Sequence, residues 1–166
     1  MIVVSDTSSL SGLAIVNQLA LLRTLYGQVV IPSAVAIELR RGGQYDPKIA
    51  QVSALGWVKI KVVEDCCRVD ELQTIYKLDK GESEAIALAL ELKADALLID
   101  ERLGRREASR LGLSITGMLG VLLVAKRRNL IGSIRPIVDE LISEASFRIS
   151  EQLYREVMAV AGESEE

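Results

Sequence analysis

Short apolar runs alternate along this chain with longer stretches of helical periodicity. Ile2-Val3-Val4 is continuously apolar and stops at Ser5-Asp6, the pattern of a strand covered on both faces. Val29-Val30-Ile31 repeats it, as do residues 96–99, which end at Asp100, and residues 113–115. Residues 57–63 instead alternate Val58, Ile60 and Val62 with Lys59 and Lys61, which predicts a half-exposed or edge strand. Between the strands, Thr7-Ser8-Ser9 supplies helix-start chemistry, and Leu10, Leu13, Ala14, Asn17 and Leu21 continue at helical spacing. Pro32-Ser33 opens a helix through Arg41, which Gly42-Gly43 ends, and Asp46-Pro47 starts a short one closed by Gly56. Residues 70–78 read as helix, Lys80-Gly81 as a turn, and residues 82–92 as a strongly apolar helix. A charged helix over 102–111 and helices over 117–128, 135–144 and 150–161 complete the pattern.

Strands alternating with helices predict an α/β domain, with helices on both faces of a mostly parallel sheet. In such sheets ligands sit beyond the carboxyl ends of the strands. The 166 residues make one domain, over 1–161, with an acidic tail at 162–166 that is expected to fray. Apolar residues at 49% and charged ones at 26% suit a soluble globular protein. No apolar stretch is long enough to span a bilayer, and Asp6 interrupts any leader-like start. The only cysteines are the neighbours Cys66 and Cys67, so no disulfide framework follows and a reducing cytoplasm is the expected setting.

The absence of histidine narrows the chemistry most. It excludes Ser-His-Asp and Cys-His triads, histidine bases and histidine-ligated zinc. Two strands end in acids, IVVSD and LLID, and if both are parallel then Asp6 and Asp100 leave the same sheet edge. Carboxylates brought together need a proton, an arginine or a hard divalent cation such as Mg²⁺ or Mn²⁺. Each acid also has an ordinary explanation. Asp6 suits a helix cap, Asp100 suits a cap or a pair with Arg102 or Arg105, and Glu38 suits a pair with Arg41. Glu82 and Glu84 both suit the first turn of a helix, where the dipole favours acids.

In order, the segments IVVSDTSSL, VIPSAVAIEL, LDKGESEAIALALEL, ALLIDERLGRREASRLGL and ITGMLGVLLVAKR resemble the PIN-domain family, specifically its VapC-like toxin branch and a DERxGR-bearing subgroup. The likeness covers about residues 1–145. It implies a three-layer α/β/α fold around a parallel sheet. It implies a cluster of acids binding Mg²⁺ or Mn²⁺, hydrolysis of RNA phosphodiesters, and a toxin held by an antitoxin protein. Carried onto this chain, the catalytic and metal-holding acids are Asp6, Glu38, Glu84 and Asp100, with Thr7 or Ser8 as supporting hydroxyls and Glu82 as a rival to Glu84. Glu101 stands next to the last acid, where many members place a further one two residues on.

The resemblance also implies that Arg102, Arg105 and Arg41 flank the acids as candidate substrate-phosphate contacts. One tryptophan, four tyrosines and one phenylalanine give little material for a base-stacking platform. A receiver-like phosphoacceptor is disfavoured, because it wants paired acids after the first strand and a late strand-end lysine. The other reading is a catalytically weak PIN-like binding protein, acting through a homodimer or antitoxin interface. The apolar helices beginning near Met118 and Ile134 suggest such a covered surface.

Overall fold

The computed structural model describes residues 1–164. Strand β1 (Val3–Ser5) leads into helices α1 (Thr7–Ile15) and α2 (Ala20–Tyr26). Strand β2 (Val29–Pro32) is followed by α3 (Ser33–Gly42), the short α4 (Pro47–Ala50) and β3 (Val58–Lys61). Helices α5 (Cys66–Thr74) and α6 (Lys80–Leu92) precede β4 (Ala96–Leu98). Helix α7 (Arg102–Arg110), β5 (Ile115–Thr116), α8 (Met118–Arg127), α9 (Arg135–Glu144) and α10 (Glu151–Val160) complete the order. The five strands form one parallel sheet in the order β3-β2-β1-β4-β5. The expected α/β architecture, with helices covering a parallel sheet, is the observed one.

Strand side chains alternate between faces, so neighbouring residues join different cores. Val3 and Leu98 pack with Leu10, Leu13, Leu39 and Leu122, while Val4, Leu97 and Ile99 pack with Leu72, Ile86 and Leu88. Burial on both sides explains why these strands are apolar at consecutive positions. Among the described residues strand β3 pairs only with β2, the edge position expected of it. The alternation does not set its burial: Val58 is buried while Ile60 and Val62 are exposed along with Lys59 and Lys61, because nothing among the described residues covers the far end of this edge strand.

Several boundaries differ from the sequence expectation. The first helix does not run through Leu21: Asn17 adopts φ 59° and separates α1 from α2. Asparagine tolerates the left-handed region and so ends helices without a glycine. Helix α5 starts and ends four residues before the expected span, because the Asp65 side chain accepts from Arg68 N at 3.0 Å and caps it. Lys80-Gly81 is the first turn of α6, not a separate turn, since Asp79 accepts from Glu82 N at 2.8 Å.

The apolar faces of α8 and α9 are used internally. Met118, Val121, Leu122, Val138 and Leu141 are buried in the chain's own core with Val157 and Met158 of α10. Leu119, Leu123 and Ile137 are only partly buried, and Ile142 of α9 is exposed. Glu163, within the segment read as a tail, accepts from Lys126 Nζ and Ile134 N, both at 2.8 Å, and from the Ser133 hydroxyl. Residues 165–166 of that segment lie outside the described residues.

Candidate functional site

Asp6 directly follows β1 and Asp100 stands two residues after β4. These strands pair in parallel, with Ser5 opposite Leu98, so both acids leave the same edge. The strand order reverses between β1 and β4, and that reversal opens a crevice at the carboxyl edge of an α/β sheet.

Asp6 caps α1 with one oxygen only. Its Oδ1 accepts from Ser9 N at 3.0 Å. Its Oδ2 is buried and has no hydrogen-bond partner among the described residues. Burial, with negative Asp100 nearby, pushes the Asp6 carboxyl up to about 7. An unsatisfied buried carboxylate oxygen costs free energy that a structure usually avoids, which marks this atom as reserved for something.

Asp100 accepts from the Ser9 hydroxyl at 2.9 Å through Oδ2, and from Met118 N at 3.2 Å through both oxygens. Burial still raises its carboxyl above the ordinary range. A Cβ at Gly117 would lie 2.4 Å from Asp100 Oδ1, so only glycine leaves room for the carboxylate there. Arg105 is held alongside by donating Nη1 to Ile99 O at 2.9 Å.

Glu82 and Glu84 leave α6 in different directions. Burial raises Glu82 well above the usual carboxylate range, reinforced by Asp79 and by the negative charges of Asp6 and Glu101. Its Oε2 stands where a Cβ at Gly104 would come within 2.7 Å. Glu84 instead accepts from Ala34 N at 3.1 Å and closes the first turn of α3. Glu38 accepts from the Thr7 hydroxyl at 2.5 Å, and burial raises its carboxyl. A Cβ at Gly81 would meet Glu38 Oε1 at 2.5 Å, so the close approach of α6 to α3 depends on this glycine.

The edge therefore gathers Asp6, Asp100 and Glu82, with Glu38 tied in through Thr7 and Glu84 turned toward α3. Ser8 and Arg102 line a cleft beside Asp100, and Arg41 lines a separate small pocket with Glu38, Lys80 and Glu84. Ser9 is the residue the sequence did not single out. Its position three residues after the cap marked its backbone N–H as the capped donor, but nothing local pointed its hydroxyl at Asp100.

Among the described residues, no three acidic or thiol side chains are already arranged to hold a metal ion. The donor chemistry nonetheless suits a hard divalent cation. Every group is a carboxylate or hydroxyl oxygen, burial raises the carboxyls of Asp6, Asp100, Glu82 and Glu38, and Asp6 Oδ2 has no hydrogen-bond partner among the described residues.

A parallel α/β domain with acids at its switch point defines the class. The DUF3368 family model, described as a PIN domain, matches residues 2–163, and the chain belongs to the PIN-domain family. No curated protein and no solved structure matches it. No helix among the described residues is long and apolar enough to cross a membrane.

Proposed function

We propose that this protein is a Mg²⁺- or Mn²⁺-dependent endoribonuclease, the toxin of a toxin–antitoxin pair. The observation that carries the reading is the buried, unpartnered Asp6 Oδ2 beside Asp100 and Glu82. We assign Asp6, Asp100 and Glu82 as the residues that hold the cation, with Glu38 as a fourth acid and Glu84 as a structural cap. A bound divalent cation supplies positive charge at the phosphoryl centre and makes water a nucleophile near neutral pH.

The remaining work falls to the chain itself. Ser9 fixes the two strand-end acids relative to each other, and Met118 N orients Asp100. Thr7 holds Glu38 at the margin of the site. Arg105, positioned by Ile99 O, offsets charge on Asp100, and Arg102 offers a cation to substrate phosphate. Cytoplasmic location, a homodimer and an antitoxin partner belong to the same proposal.

The test is incubation of the purified protein with a mixed RNA pool in Mg²⁺, Mn²⁺ or EDTA, beside Asp6→Asn. Metal-dependent cuts that vanish in the variant support the reading; identical behaviour of both proteins under every condition rejects it. The competing reading, a PIN-like binding protein without turnover, draws on the lack of a ready-made three-acid cluster among the described residues. It gains ground if RNA stays intact throughout.

A further inference from the structure

A cleft of about 530 Å³ opens beside Asp100, within the size range of about 300–1,000 Å³ typical of small-ligand sites. Three parts of the chain supply its polar and aromatic walls, and Ile49 of α4 and Met118 of α8 add apolar ones. Ser8 and Ser11 belong to α1, Glu101 and Arg102 to the start of α7, and Phe147 and Arg148 to the segment between α9 and α10. Arg102 and Arg148 are exposed, and neither makes a hydrogen bond or ion pair among the described residues. Phe147, the single phenylalanine of the chain, packs partly on the core and also lines the cleft.

These features have one chemistry in common. Two unpaired guanidinium groups on the wall of a cleft that also contains Asp100 and Glu101 provide for an anionic ligand that the acids alone would repel. An aromatic ring beside them accepts the face of an unpaired base, which a duplex keeps inside its stack. We propose that this cleft binds one nucleotide unit of single-stranded RNA next to the acidic edge, with its phosphate between Arg102 and Arg148 and its base against Phe147. The proposal rests on the ribonuclease reading for the identity of the ligand, and it adds Arg148 and Phe147 as positioning residues for that substrate.

The test measures binding without turnover. A fluorescein-labelled 12-nucleotide oligouridylate is titrated in EDTA across a salt series, with anisotropy as the readout. The proteins are wild type, Arg148→Ala, Arg148→Lys and Phe147→Leu, each with its melting midpoint measured to confirm folding. Arg148→Ala is expected to weaken binding and to reduce the salt slope by about 0.7, the value for one lost single-strand phosphate contact. Arg148→Lys retains the slope. Phe147→Leu keeps an apolar side chain but loses the aromatic face, and weakens binding about 5-fold or more with the slope unchanged.

Wild-type affinity in both Arg148→Ala and Phe147→Leu overturns the proposal, as does equal or tighter binding of a duplex of the same length. Failure here and failure of the nuclease reading are separable. If wild type cleaves RNA while these variants bind like wild type, only the cleft assignment falls. If the variants lose affinity but no metal supports cleavage, the cleft stands and the catalytic reading falls.

Discussion

The Ser9 hydroxyl donates to Asp100 Oδ2 at 2.9 Å while the backbone N–H of the same residue donates to Asp6 Oδ1 at 3.0 Å. One residue thus spaces the two acids that β1 and β4 deliver, and it leaves Asp6 Oδ2 uncommitted. Ser9→Ala removes the hydroxyl link but keeps the backbone cap. The expected loss is about 0.5–1.5 kcal/mol in denaturant unfolding without metal. If the bridge sets the spacing of the acids, the stabilisation of the variant by Mn²⁺ is also smaller than that of wild type. A variant as stable and as Mn²⁺-responsive as wild type would show that the bridge is incidental.

Asp6 makes the metal-free protein less stable as pH rises. Its carboxyl is raised to about 7 in the folded state against 3.8 when solvated, so the native state binds the proton more tightly than the unfolded chain. Its contribution is fully present below about pH 4 and is lost as pH rises through about 7. Asp6→Asn keeps a good capping side chain and removes the charge. At pH 8 in EDTA the variant is expected to be more stable than wild type, on the order of 2–4 kcal/mol. At pH 4 the gap closes. Urea unfolding at the two pH values checks this, and a variant less stable at pH 8 would contradict the electrostatic account.

Gly81 and Glu38 form a steric pair. Gly81→Ala places a methyl against the Glu38 carboxylate and is expected to cost about 1–3 kcal/mol. In the Glu38→Ala background the same change costs markedly less, because the atoms it meets are gone. Additive losses in this double-mutant cycle would mean that the penalty arises elsewhere.

Glu163 gives the opposite pH signature to Asp6. Lys126, Ser133 and the N–H groups of Ile134 and Arg135 hold its carboxyl down at about 2, against the cost of burying it. A depressed acid stabilises the fold above its unfolded pKa, and that contribution is lost as pH falls from about 4 toward 2. Glu163→Gln is therefore expected to lower the melting midpoint at pH 7, with the difference from wild type shrinking below about pH 4. A pH-independent difference would argue for packing instead of charge.

The sheet was legible because strands buried on both faces must be apolar at every position, so Val3, Val4, Leu97 and Leu98 stand out without any alignment. Asp6 and Asp100 were legible as the polar stops of those runs. Which of Glu82 and Glu84 faces the strand-end acids was not. They lie about 200° apart around the helix, but α6 is buried on nearly all sides and offers no polar face to set its rotation. The Asn17 break was hidden because asparagine also occurs inside helices. Phe147 and Arg148 were hidden because only the packing of α9 brings that distant segment beside Asp100.

The central claim is that the carboxyl edge of the sheet takes a hard divalent cation through Asp6. Calorimetric titration of Mn²⁺ into the metal-free protein tests it most directly, with Asp6→Asn, Glu82→Gln and Glu84→Gln alongside. The account predicts saturable uptake by wild type and by Glu84→Gln, and affinity lowered about 10-fold or more in Asp6→Asn and Glu82→Gln. Wild type that takes up no Mn²⁺, or an Asp6→Asn protein that binds it equally well, would contradict it.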